Sequence, residues 1–310
     1  MMIFTVTLNP AVDRELTVDA IAFDTVLRAS DWRVDCGGKG FNVARMLKSL
    51  GISSVALGFA AGKSGEMLND KLRSLGIETE FVWAEGETRT NVSIVSAENG
   101  RYVKVNEPGP AITEADLAQL AQKISERVQA GDWWVLAGSL PPGVPPNYYT
   151  ELIAIIQSAG AKVFLDTSDE ALRQNCAAKP LLVKPNDEEA HGLTGLPVST
   201  PQEIAAAGKA ISAMGPESVI ISLGKEGAVL VDEDKAWLAT SPAIAAANPI
   251  GAGDSMVAGI VWGLSQGDSV REALCKGIAC GAATASRKGT SVGTLEQVNE
   301  LLSQVQLREV

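Results

Sequence analysis

Short apolar runs rich in β-branched residues recur along the chain, at Ile3–Leu8, Ser54–Phe59, Trp133–Ala137, Lys162–Asp166, Leu181–Lys184 and Ser218–Leu223. Segments with helical spacing lie between them. In Asn42–Leu50, for example, Val43, Met46, Leu47 and Leu50 fall on one face before Gly51 ends the turn. Near-continuous apolar runs are what strands covered on both faces require. The alternation therefore predicts an α/β fold, with a mostly parallel central sheet sandwiched between two helical layers.

Two segments interrupt this rhythm. Residues Ala11 to Cys36 are mostly polar with scattered hydrophobes, and Arg89 to Val105 reads as two alternating strands around the turn signal Asn99-Gly100. Both suit a small antiparallel sheet, a discontinuous lid formed by about residues 11–36 and 86–108 within a single domain spanning 1–310. Helices are predicted over Asp254–Leu264, Ser269–Ser286 and Leu295–Val305, and the first is apolar almost all round, as a buried helix is.

Charge narrows the partners. With 26 basic and 37 acidic side chains the chain carries a net charge of −11, which argues against nucleic acid or an anionic membrane as a partner. An anionic substrate would need a few well-placed cations. No apolar stretch approaches the roughly 18 residues of a membrane span, and the start Met1-Met2-Ile3-Phe4 has no secretory pattern, so the cytoplasm is expected. The cysteines, Cys36, Cys176, Cys275 and Cys280, form no C-x-x-C pair, and His191 is the sole histidine. Zinc chemistry and a histidine base are both disfavoured.

The sharpest motif is Asn248-Pro249-Ile250-Gly251-Ala252-Gly253-Asp254-Ser255, a glycine turn feeding the buried helix. Backbone amides of Gly251, Ala252 and Gly253, added to a helix N-terminus, make an anion hole suited to a phosphoryl group in transit. Asp254, ionised in the field of the helix dipole, would take the proton of an attacking hydroxyl. A carboxylate that merely caps the helix is the alternative on spacing alone. Gly37-Gly38-Lys39-Gly40-Phe41-Asn42 opens another helix; Gly38 lets a ligand approach the backbone, Lys39 supplies a cation and Asn42 an amide.

Lys184-Pro185-Asn186-Asp187-Glu188-Glu189 follows a strand. Asn186 and Glu189, three residues apart, share a helical face from which they would steer magnesium and its waters, with Lys184 toward the nucleotide phosphates. A helix cap is the simpler reading. Ser222-Leu223-Gly224-Lys225-Glu226-Gly227 is a turn beyond a strand end, where nucleotides bind in open α/β sheets, and Ser139 in Gly138-Ser139-Leu140-Pro141 is a sugar contact on the same argument. Arg89 in Thr88-Arg89-Thr90-Asn91 would fork onto a phosphate, and Asp13 would accept from sugar hydroxyls. Gly58-Phe59-Ala60-Ala61-Gly62-Lys63-Ser64 imitates a P-loop, but three residues separate its glycines where four are required.

Taken in order from Asn9-Pro10-Ala11-Val12-Asp13 to Gly251-Ala252-Gly253-Asp254-Ser255, these motifs resemble the PfkB (ribokinase-like) carbohydrate kinases over nearly the whole chain. Within that family the resemblance is to the 1-phosphofructokinase and tagatose-6-phosphate kinase branch. It implies a ribokinase-like three-layer sandwich with a β lid that often mediates a homodimer, and ATP with Mg²⁺ as cofactors. It further implies Asp254 as catalytic base; Gly251, Ala252 and Gly253 as anion hole; and Asp13, Gly38, Lys39, Asn42, Arg89 and Ser139 on the sugar phosphate, with Arg28 a weaker candidate. Lys184, Asn186, Ser222, Gly224 and Gly227 fall on the nucleotide side, and Glu189 toward the metal. Pro249 stands where many members have Thr, and Ser286-Arg287-Lys288 offers no Asn for the adenine.

The expected reaction is phosphorylation of a ketohexose monophosphate, fructose 1-phosphate first, with tagatose 6-phosphate or fructose 6-phosphate as alternatives because the furanose is pseudo-symmetric. A non-catalytic sugar-phosphate-binding regulator is the competing class, and its mark would be loss of Asp254 or of the glycine turn. A nicotinamide enzyme lacks its G-x-G-x-x-G fingerprint.

Overall fold

The computed structural model describes residues 1–310 apart from 234, 247, 288 and 290. Its strands run in chain order as β1 (Ile3–Thr7), β2 (Ala11–Val18), β3 (Asp31–Gly37), β4 (Ser54–Ala61), β5 (Glu78–Ala84), β6 (Arg89–Ser96) and β7 (Tyr102–Asn106). There follow β8 (Trp133–Ala137), β9 (Lys162–Asp166), β10 (Leu182–Val183), β11 (Ser218–Ser222), β12 (Ala228–Asp232), β13 (Lys235–Thr240) and β14 (Gln306–Glu309). The large sheet has the order β14-β13-β12-β11-β10-β9-β8-β1-β4-β5, parallel from β5 to β11 and antiparallel beyond.

Period-two alternation inside the apolar runs explains the three layers. Trp134 and Leu136 of β8 point into one core with Phe4 and Val6 of β1, while Trp133, Val135 and Ala137 point into the other with Ile3. Phe4 and Trp134 are in register and stack with ring centroids 4.1 Å apart. The Glu114–Arg127, Tyr148–Ser158 and Pro201–Ser212 helices cover the first face; Lys39–Ser49, Ala252–Ser265 and Val270–Ala285 cover the second. The last two pack through glycines: a Cβ at Gly259 would lie 2.7 Å from Cys280 Sγ, and one at Gly277 2.6 Å from Ile260. Any side chain there would pry the helices apart.

The small sheet has the order β3-β2-β6-β7 and draws on both interrupting segments. Its outer pairs, β2–β3 and β6–β7, are antiparallel, and Asn99-Gly100 turns β6 into β7 with Gly100 at φ 69°. The central pair, β2–β6, is parallel, because β2 and β6 leave the large sheet at the same rim.

Some local expectations shift. The Lys39–Ser49 helix starts three residues before Asn42, since Gly38 at φ 126° is its N-cap. The final predicted helix stops at Leu302, and Gln306–Glu309 instead adds an edge strand to β13. Among the described residues no helix is long and apolar enough to cross a membrane.

Strand order reverses between β1 and β8: the chain builds outward to β4 and β5 on one side, then to β9, β10 and β11 on the other. Such a switch point opens a crevice at the carboxyl ends of the strands. Asn9, Ser139, Asp166, Lys184, Asn186 and Ser222 all lie at or just beyond those ends.

Candidate active site

The Ala252–Ser265 helix begins at Gly251, whose φ of 79° is left-handed and suits a residue without a side chain. Its first turn leaves amides over, as every helix does. The Ala252 amide is bonded to the Pro249 carbonyl at 3.1 Å within the turn itself. Among the described residues the amides of Gly251, Gly253 and Asp254 have no hydrogen-bond acceptor. These are the donors the turn offers.

Asp254 sits in that first turn, partly buried, and its Oδ2 accepts from Asn42 Nδ2 at 2.8 Å. Asn42 Oδ1 in turn accepts from Arg45 Nη1 at 3.3 Å, which fixes the orientation of the amide. Burial, then the nearby Asp166 carboxylate, raise the Asp254 pKa to about 6, against the lowering effects of the Asn42 hydrogen bond, Lys39 and Lys184. The sequence argument that the helix dipole leaves this acid fully ionised is therefore modified. It is a carboxylate at pH 7 but a much better base than a surface aspartate.

Lys39 lies on the same side. Its Nζ is 3.0 Å from Asp166 Oδ1, and Lys184 Nζ is 3.3 Å from the same oxygen. A Cβ on Gly253 would lie 3.8 Å from Lys184 Nζ, so the anion turn and the lysine are neighbours. For Lys39, burial would lower the pKa, but Asp166 and then Asp254 hold it above the ordinary ammonium value.

Arg89 occupies a different place. Its Nη2 donates to the Asn9 carbonyl at 3.0 Å and its Nη1 to the Glu107 carbonyl at 3.2 Å, while its buried Nε has no partner among the described residues. Asn9 Nδ2 reaches Ser139 Oγ at 3.4 Å across the β1/β8 switch. Arg89, Asn9 and Ser139 line an open cleft of about 600 Å³. Lys39 stands against Asp166, whose chain neighbour Thr167 lines the same cleft.

Asp13 lies on the small sheet. Its Oδ1 accepts from Asn91 Nδ2 at 2.8 Å, and a Cβ on Gly37 would come within 2.5 Å of its carboxylate. Asp13, Asn91 and Asn106 stand in one row across β2, β6 and β7, on the face of the small sheet that meets Ile250, the neighbour of the glycine turn. Arg28 is exposed and makes no hydrogen bond among the described residues.

Just beyond β10, Asn186 and Glu189 form a reciprocal capping box: Asn186 Oδ1 accepts from the Glu189 amide at 2.7 Å and Glu189 Oε2 from the Asn186 amide at 2.8 Å. The simpler of the two sequence readings is thus realised, and Glu189 keeps only Oε1 for another partner. Ser222 is bridged to Asn186 in parallel, and Gly224 and Gly227 both have positive φ in the following turn. Lys288 lies outside the described residues. Asp166 was not singled out from sequence, and Asn91 was noted only as part of the Thr88-Arg89-Thr90-Asn91 motif. An acid ending the apolar strand Lys162–Asp166 was the available signal for the first; the second needed the sheet register.

A crevice at a switch point, an acid at a helix mouth beside unpaired amides and fixed lysines together define a phosphotransferase of the ribokinase type. The chain belongs to the pfkB family of carbohydrate kinases, whose family model matches residues 6–297. It is 36% identical over 306 residues to the 1-phosphofructokinase of Bacillus subtilis, covering 99% of each chain. It is equally 36% identical to the D-tagatose-1-phosphate kinase of Bacillus licheniformis, again over 99% of each. The crystal structure of phosphofructokinase-2 from Escherichia coli in complex with fructose-6-phosphate superposes with a TM-score of 0.91 at 31% identity, over 98% of each chain. The ribokinase-like architecture anticipated from sequence is the one present.

Proposed function

We propose that this chain transfers the γ-phosphoryl group of ATP to the 6-hydroxyl of fructose 1-phosphate, yielding fructose 1,6-bisphosphate and ADP. The observation that carries the reading is the Asp254 carboxylate, held by Asn42 at the mouth of a buried helix beside the amides of Gly251 and Gly253. Asp254 takes the hydroxyl proton as O6 bonds to the γ-phosphorus and the bond to the β-phosphate oxygen breaks. The amides of Gly251, Gly253 and Asp254, with Lys39 and Lys184, receive the charge on the transferring group. Arg89 and Ser139 hold the 1-phosphate, while Asp13 and Asn91 accept and donate to ring hydroxyls. Gly38 and Asn42 shape the sugar floor, and Asn186, Ser222, Gly224 and Gly227 border the nucleotide.

Magnesium fits this site as an ion carried on the nucleotide. Among the described residues no three carboxylate, histidine or cysteine side chains converge to cage a metal. Glu189 Oε1, beside Asn186, is the protein oxygen that would meet its waters. When bound, the ion neutralises charge on the nucleotide phosphates.

The small sheet acts as a lid and, we infer, joins two copies. One of its faces carries Asp13 and Asn91. The other carries the rows Trp32-Leu16-Ile94-Val103 and Val34-Arg14-Val92-Val105, with Trp32 63% and Val105 61% exposed. An apolar sheet face of this extent suits an isologous pairing. All four cysteines are free thiols, which agrees with the reducing cytoplasm we assign.

An ADP-release assay ranks the acceptors by kcat/KM: fructose 1-phosphate, tagatose 1-phosphate, fructose 6-phosphate, tagatose 6-phosphate and unphosphorylated fructose. Fructose 1-phosphate is expected to lead. Tagatose 1-phosphate is the second reading, favoured by the relative from Bacillus licheniformis. Preference for unphosphorylated sugar would sink the role of Arg89.

A further inference from the structure

One buried carboxylate is untouched by the reaction as written. Asp166 ends β9 with 1% exposure, and its Oδ1 accepts from both Lys39 Nζ and Lys184 Nζ. Its Oδ2 is buried with no hydrogen-bond partner among the described residues. The two lysines come from distant elements: Lys39 opens the helix after β3, and Lys184, itself 6% exposed, follows β10.

Stability does not account for this triad. Buried ions lose hydration that their attraction often fails to offset, and an unpaired buried oxygen adds to that cost. Packed hydrophobes would hold β9 and β10 together as well. The arrangement instead sets the spacing of two ammonium groups through a single oxygen, next to Gly253 of the anion turn.

We propose that Asp166 is the positioning residue of the transfer centre: it holds Lys39 and Lys184 side by side along the phosphoryl path and keeps either from pairing with Asp254 and disabling the base. This rests on the kinase reading above. With Asp166 present, two cations face two carboxylates. Without it, both ammonium groups face Asp254 alone.

The charged groups acting on each member are few. Asp254 feels Asp166, Lys39 and Lys184, with the Asn42 amide bonded to it. Lys39 feels Asp166, Asp254 and Glu189. Asp166 faces Lys184 and Lys39; burial alone would raise its pKa, but the two lysines together bring it below the ordinary carboxyl value. The Tyr149 phenol is also within its field but donates to the Gly138 carbonyl at 3.1 Å.

The test compares Asp166→Asn with Lys184→Met, using two readouts. The first is titration of the Asp254 carboxyl carbon by NMR in the protein without substrate. The second is the acid limb of the kcat/KM profile for ADP release with fructose 1-phosphate. Asp166→Asn is expected to lower kcat about 100-fold and move the Asp254 titration to lower pH, because a repelling anion is gone. Lys184→Met is expected to move it to higher pH, because an attracting cation is gone. Opposite displacements support the proposal. If Asp166→Asn does not fold, Asp166→Ser, which also removes the anion, takes its place with the same downward displacement expected. An Asp254 titration unmoved in the folded variants, whatever happens to kcat, would make Asp166 a structural residue and overturn the proposal. The NMR arm needs no turnover. Failure of the wild-type protein to phosphorylate fructose 1-phosphate would therefore count against the functional reading and leave this test standing.

Discussion

Replacing Asp254 with Asn removes one negative charge and keeps the shape of the side chain, and its amide oxygen can still accept from Asn42. The aspartate is held at a pKa of about 6 against an ordinary value of 3.8, chiefly by burial and by Asp166. A group whose folded pKa is raised binds more protons folded than unfolded, so stability falls as pH rises through the interval between the two values. The cost is complete above about pH 6 and fades toward pH 4. A shift of this size corresponds to at most about 3 kcal/mol at neutral pH. Partial exposure of Asp254 screens the charge, which leaves about 1–2 kcal/mol. Asp254→Asn should therefore melt a few degrees higher than the wild type at pH 7.5, by on the order of 2–6 °C, and lose that advantage near pH 4. The same variant should lose a thousandfold or more in kcat, since among the described residues Asp254 is the acid in the first turn of that helix. Thermal unfolding across pH and the ADP-release assay read the two effects. Turnover like that of the wild type would remove Asp254 from the chemistry, and a lower melting temperature at pH 7.5 would refute the electrostatic account of its raised pKa.

Arg89→Ala should raise KM for fructose 1-phosphate by about 10–100-fold with kcat within a few-fold, the signature of a lost charge-assisted contact made in ground and transition states alike. Steady-state kinetics in which KM for ATP rises instead would move Arg89 to the nucleotide side. Trp32→Glu, on the outer face of the small sheet, should convert dimers to monomers in light scattering coupled to size exclusion. A dimer that survives this change would place the interface elsewhere.

The layered architecture was legible because each strand is short, apolar and bounded, and because a strand buried on both faces shows no polar alternation. Ile3–Leu8, Ser54–Phe59 and Trp133–Ala137 mark three central strands, and all three lie in the parallel part of the sheet. The edge was harder. Gln306–Glu309 has two charged residues and one leucine, and its extended form comes from pairing with β13, a partner far away in the chain. The parallel β2–β6 contact was hidden for the same reason: hydrophobic period reports the face of a strand but not the direction of its neighbour.

Read alone, the chain determined the fold class, the glycine turn before Asp254 and the residue types of the candidate site, since these follow from local backbone demands and from chemistry each side chain carries by itself. Tertiary structure decided which of them meet. Only packing could draw Lys39 and Lys184 onto one oxygen of Asp166 and set Arg89 in a cleft with Asn9 and Ser139. Those assignments depend on contacts between separate elements, 127 residues apart for Lys39 and Asp166, and on a desolvation that sets the basicity of Asp254 only once the surrounding helices have closed around it.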